Sequence, residues 1–282
     1  MNQTRLSNKR ILDRQRVQSK HWWDRFDFPD PMLGWWKVGP LRFWLEKTGL
    51  EWRVAVERGD DSLEEDWSVE LPATSPHSTI RDDASWQRFG FESPPSSISI
   101  LPIMPDRAVV SRPEQAFTLL PKGRVRVYVS CPIWVELRTA DEGVLFAEIP
   151  SSRPSDTWFG SKTSGSLCYA ARTELRRRLE RVALRPHRSV TPVDLINLAP
   201  GALVLERLAL PVMSLSVFAS KQGQLWTEQV TLTRKEDGEW ADVSIGSGPP
   251  REAEGASKLQ IARAEESRSF ASRVFGGWFG SS

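Results

Sequence analysis

Ser155-Asp156-Thr157-Trp158-Phe159-Gly160 places a carboxylate beside an aromatic pair. A lone aspartate can serve as a general base only with a partner whose surroundings split the two pKa values. Nothing in the spacing ties a second acid or a histidine to Asp156, so the simpler reading is an aspartate that closes a turn through its own backbone. Asp156 and Trp158 are kept as a possible loop site, and an enzyme whose acid pair is assembled from distant loops, such as Asp156 with an acid from 60–66, stays a further alternative. The next stretch, Gly160-Ser161-Lys162-Thr163-Ser164-Gly165-Ser166, resembles a phosphate loop only superficially. A Walker A loop needs lysine directly after its second glycine, and here Ser166 stands there. A glycine- and serine-rich hairpin turn is the better reading.

Other reactive side chains are few. The three histidines, His21, His77 and His187, fall in a basic arm, a proline-rich loop and an arginine-rich segment. No G-x-S-x-G signature accompanies them. Cys131 and Cys168 sit among strand-like residues, where buried inert thiols are the rule. Neither H-E-x-x-H nor C-x-x-C occurs, so no transition-metal site and no cofactor is expected. The residues assemble no coherent catalytic set, and the expectation is a protein without enzymatic activity.

Two groups of residues could bind. Segment 172–188 carries seven arginines and two glutamates. Arg176, Arg177 and Arg181 could fork onto phosphate or an anionic lipid. The alternative is the solvated face of a helix over 173–184, with Leu175, Leu179 and Val182 as its apolar stripe, Glu174–Arg178 and Arg176–Glu180 as four-residue pairs, and Pro186 as its stop. The second group is tryptophan, 13 residues against two tyrosines. Indole joins a large apolar face to one N–H donor and suits interfaces as well as cores. Trp52 falls on the apolar face of its strand. Trp44 and Trp134 fall on the opposite phase, either outward or under a second layer. Trp22, Trp23, Trp35, Trp36 and Trp278 remain candidates for an exposed binding set.

The elements that must position these residues read as strands. Leu41, Phe43 and Leu45 share one face; so do Leu50, Trp52, Val54 and Val56, and Glu46-Lys47-Thr48-Gly49 joins the two runs as a hairpin. Val125, Val127 and Val129, then Ile133, Val135 and Leu137, repeat the alternation. Many short runs punctuated by 20 prolines and 18 glycines predict a mainly β chain of antiparallel sandwich type, one large or two abutting, with one short helix and flexible termini. The expected divisions are a basic, Trp-containing arm at 1–33, a β-rich domain at 34–248 with a sub-boundary near 150, and a linker and tail at 249–282.

With 282 residues, 38 Lys plus Arg against 36 Asp plus Glu and a net charge of +2, the chain is no polycation built for nucleic acid. No run reaches the ~20 apolar residues of a membrane-spanning helix. The N-terminus lacks the apolar core of a secretory signal. The expected location is the cytoplasm, with peripheral membrane contact as an extension.

Several stretches carry a family resemblance: Gly39–Leu45, Ser111–Leu119, Val127–Val135, Asp156–Gly160, Gly165–Ala170, Pro211–Phe218 and Leu225–Glu228. Together they resemble an uncharacterised prokaryotic family, domain of unknown function 432, across most of 34–248. The resemblance implies a mostly β protein, supplies no activity or site residues, and hints at a role near a membrane. The leading expectation is a binding or scaffold protein that meets a protein partner or an anionic membrane surface through its ends. A carbohydrate- or peptide-binding sandwich using exposed tryptophans is the alternative.

Overall fold

The computed structural model describes residues 19–59, 64–75, 78–81, 84–264 and 268–276, the side chains of 172–174 excepted. The basic segment 1–18, His77, Trp278 and part of the acidic loop therefore lie outside the described residues. Strands are numbered β1 to β24 in chain order. They divide between two compact units, residues 1–101 with 135–152, and residues 102–134 with 153–282.

In the first unit the alternation builds a five-stranded antiparallel sheet. Its order is β5 (Trp67–Glu70), β2 (Met32–Val38), β3 (Leu41–Thr48), β4 (Glu51–Arg58) and β6 (Trp86–Gly90). A second sheet runs β1 (Asp24–Asp27), β7 (Ser97–Ile103), β11 (Trp134–Thr139) and β12 (Leu145–Pro150). Aromatic rings join the two sheets. Trp36 stacks on Phe43 at 5.2 Å and meets the edge of Phe26 of β1 at 5.3 Å. Trp52 lies 6.3 Å from Phe146 of β12. Leu41, Phe43 and Leu45 are fully buried, as their shared face requires, whereas Leu50 sits in the turn and is 61% exposed.

The other face of β2–β3–β4 is covered too. Trp35, Trp44 and Ala55 form a buried cluster under Leu33, Ala73, Ile80, Ala84 and Trp86, and the Trp44 indole donates to the Ser78 carbonyl at 2.7 Å. A second layer thus covers Trp44. Gly34 permits the close packing beneath Trp36: a Cβ there would lie 2.6 Å from Trp36 Cζ3 and 2.7 Å from Leu71 Cδ1. Gly34→Ala should therefore lower stability by about 1–3 kcal/mol through overpacking, read as a drop in thermal midpoint.

The second unit centres on β15 (Arg188–Asn197). Its eight-stranded sheet runs β22 (Ser257–Gln260), β18 (Val217–Ala219), β19 (Leu225–Thr227), β15, β20 (Val230–Arg234), β21 (Trp240–Ile245) and β23 (Ser269–Arg273), with β10 (Arg124–Pro132) also paired to β15. A five-stranded sheet runs β13 (Asp156–Phe159), β14 (Ser166–Leu175), β8 (Val109–Pro113), β17 (Arg207–Leu210) and β24 (Phe275–Gly276). β9 (Phe117–Leu119) and β16 (Leu203–Leu205) make a small ribbon. Among the described residues of this unit β14 pairs in parallel with β8, and β15 with β19 and with β20.

The expected helix over 173–184 does not form. β14 extends to Leu175, and the Arg176 N–H and carbonyl bond to Tyr128 at 3.0 and 2.7 Å. Only a 3₁₀ turn at Leu179–Arg181 follows. Long-range backbone pairing satisfies donors that a helix would otherwise have satisfied locally. Strands also fall inside the segments expected as arm and tail. β1 and the start of β2 lie before residue 34, and β22, β23 and β24 take sheet positions after residue 248.

Candidate functional site

The glycine-serine turn closes the β13–β14 hairpin, with Phe159 opposite Ser166. From that register Trp158 faces Leu167 and Asp156 faces Tyr169. Period-two alternation turns these four outward and sends Thr157, Phe159 and Cys168 to the opposite face. Trp158 is 48% and Leu167 45% exposed. The Trp158 N–H is satisfied by the Ser161 carbonyl at 2.8 Å, so the indole presents only apolar ring to solvent.

Charged residues frame the rings. Arg107 stands just before β8, which runs parallel to β14 and brings it alongside Tyr169. Its guanidinium lies 5.2 Å from the Tyr169 ring and donates to Asp156 at 3.2 Å. The Tyr169 hydroxyl donates to Asp106 at 2.8 Å. Burial first, then that bond to a carboxylate, pushes the phenol up to about 12. Trp134 lies 6.2 Å from Tyr169, and Arg263 sits over Trp134 at 5.3 Å. The result is a continuous band from Arg263 through Trp134, Tyr169 and Arg107 to Asp156, with Trp158 and Leu167 beside it.

Asp156 and Asp106 each accept from a neighbour, and among the described residues no histidine joins them. Cys168 faces the other side with its thiol pushed up by burial, and burial pushes Cys131 up to about 12; a protonated thiol is a poor nucleophile. A second charged cluster lies in the same unit. Arg124, Arg126 and Gln229 donate to Asp194, while Arg126 and Tyr128 donate to Glu252. The Arg126 guanidinium bridges its two carboxylates. Among the described residues no group of three or more His, Cys, Asp or Glu side chains could hold a metal ion.

The sequence-derived candidates are distributed differently. Trp22, Trp23, Trp35 and Trp36 are at most 6% exposed, so they are core and not a stacking platform. Trp23 stacks on His21 at 4.7 Å and meets Trp22 edge-on at 5.2 Å. Arg176 pairs with Glu114, Arg177 lies over Phe117 at 5.9 Å, and Arg181 is exposed in the 3₁₀ turn. Tyr169, Leu167, Arg107 and Asp106 escaped the sequence reading, which noted Trp134 only for its phase, outward or under a second layer. Only Leu167 and Tyr169 left a signal, their equal spacing about the turn from Trp158 and Asp156.

The family model described as "Protein of unknown function (DUF432)" matches residues 22–279. The chain belongs to the DUF432 family. No curated protein and no solved structure matches it. The DUF432 match reaches beyond the stretch 34–248 on which the resemblance was read, and takes in β1 and β22 to β24 as well. The whole candidate face lies inside it. Among the described residues of this DUF432 chain no helix is long and apolar enough to cross a membrane.

Proposed function

We propose that the chain is a non-catalytic binding protein that meets a protein partner through the outward face of the β13–β14 hairpin. The observation that carries this reading is Trp158, whose ring is 48% exposed while its N–H is satisfied internally. An indole with no polar demand left and half its surface in water gains most by being covered. Its surroundings have the composition of an interaction hot spot, with Trp, Tyr and Arg close together. Asp106 and Asp156 balance Arg107 and Arg263 along the band, so it carries no net positive charge to draw an anionic bilayer, which favours a protein surface.

A photo-crosslinking residue placed at Leu167 should capture one predominant partner in the native cell, and that partner should then bind the purified chain. Trp158→Ala should weaken the purified complex by at least about 2 kcal/mol, roughly thirtyfold. Trp240→Ala, at a site 56% exposed on β21, should leave it unchanged. Equal affinity of wild type and Trp158→Ala would end the proposal.

A sugar ring is the second reading, because one open indole face beside Asp156 supplies both a stacking surface and an acceptor. Titration of tryptophan fluorescence with a glycan panel separates the two. A saturable response that Trp158→Ala abolishes favours the sugar, and a flat response removes it.

A further inference from the structure

The opposite face of the same five-stranded sheet has a different chemistry. β13 and β17 are not neighbours in hydrogen-bond order, yet Arg207 Nη2 of β17 lies 3.4 Å from both Thr157 Oγ1 and the Trp158 carbonyl of β13. A Cβ at Gly276 of β24 would lie 3.0 Å from the Phe159 ring. The sheet therefore curls its first strand toward its last. Val110, Phe159, Cys168 and Ala209 form the apolar cluster of this inner face. Alternation sets Arg112, two residues after Val110, and Arg207, two before Ala209, on the same face. The pairing Leu208 with Ser111, continued by one step, puts Arg207 opposite Arg112.

Like charges directly opposite on neighbouring strands repel. Here they line a groove of about 230 Å³ whose other walls are Pro113, Ala116 and Glu206. Arg207 lies over the Phe159 ring at 5.3 Å. Its Nε is buried with no acceptor among the described residues, and both Nη2 contacts are at the long limit of a hydrogen bond. No carboxylate among the described residues forms an ion pair with it. Burial and then the charge of Arg112 hold its guanidinium below the usual range.

We propose that this groove binds the oxyanion group of a small ligand, with Arg207 presenting its donor fork and Arg112 the second positive charge. A phosphate or carboxylate oxygen would give the Nε donor its acceptor and separate the two cations. Pro113 and Ala116 offer apolar contact to the carbon skeleton that carries it. The proposal is independent of the outward-face reading, since the groove's lining does not include Trp158.

The test uses the full chain with ¹⁵N-labelled arginine, titrated with inorganic phosphate, phenyl phosphate and benzoate while the Nε–H resonances are followed. The Arg207 signal should shift saturably. Arg207→Gln and Arg112→Gln should each weaken binding about tenfold or more, and Trp158→Ala should not. Arg207→Lys keeps the charge without the fork; it should also bind more weakly than wild type while its spectrum stays folded. Tighter binding of phenyl phosphate assigns an organic phosphate, of inorganic phosphate the free ion, and of benzoate a carboxylate. Absence of saturable shifts up to about 10 mM of all three probes, or wild-type affinity in Arg207→Lys, would overturn the site.

Discussion

Trp36→Ala should lower the unfolding free energy by about 3–5 kcal/mol, the range for truncating a fully buried aromatic side chain. Trp36 has no exposed surface. It is held face to face by Phe43 and edge-on by Phe26, with Phe28 stacked at 6.2 Å. Gly34 and Leu71 fill the space next to the ring, so relaxation cannot easily close the cavity. Trp36→Phe keeps an aromatic ring and removes an indole N–H that has no acceptor among the described residues, so it should cost the smaller share. Trp240→Ala, on an exposed side chain, should stay within about 0.5 kcal/mol. Urea denaturation of the three variants checks the ranking. A loss below about 1 kcal/mol for Trp36→Ala would mean that the rings between these sheets are not the core of the first unit.

His187 should make the protein labile in acid. The side chain is 1% exposed. Burial, then the charges of Arg188 and Arg185, push its imidazole down from 6.5 to about 3. In the unfolded chain it binds a proton near 6.5, and in the folded chain only near 3. Between those values the unfolded state holds more protons, so stability falls as the pH falls, by up to about 1.4 kcal/mol per pH unit from this group alone. The contribution is complete above 6.5 and is lost progressively toward 3. His187→Gln removes the titration. Unfolding free energies measured at about pH 6.5, 5 and 4 should therefore fall less steeply in the variant than in the wild type, with slopes differing by about one proton. Parallel curves would show that His187 takes up its proton without unfolding.

How much of this was legible depends on how far apart in the chain the decisive contacts are. The face made by Leu41, Phe43 and Leu45 follows from alternation alone. The cover over Trp44 does not, because Ser78, Ile80 and Ala84 come from a proline- and serine-rich stretch without periodicity. The spacing of Leu175, Leu179 and Val182 matches a helix. It yields to pairing with β8 and with Tyr128, which no local pattern announces. The outward face shows the same division. Once 160–166 is read as a hairpin turn, residues equidistant from it must oppose each other, which brings Trp158 to Leu167 and Asp156 to Tyr169. Arg107 and Asp106 reach the same face only through the parallel pairing of β14 with β8. Arg112 and Arg207 become neighbours only through the register of β8 and β17, across almost a hundred residues. Four of the five tryptophans kept as candidates for an exposed set are buried, and the sequence could not show it for a plainer reason. Residue type gives an indole's size but not which layer covers it.

The interleaving of the two units constrains the order in which the chain can become structured as it leaves the ribosome. Residues 1–101 emerge first but lack β11 and β12, which follow only after β8, β9 and β10 of the other unit have been made. Until then β7 has no neighbour on its β11 side, and an unpaired strand edge is a template for association between chains. The nascent protein must therefore keep that edge solvated, or covered by a chaperone, until Trp134–Thr139 has been added. No single cut in the gene releases either unit whole.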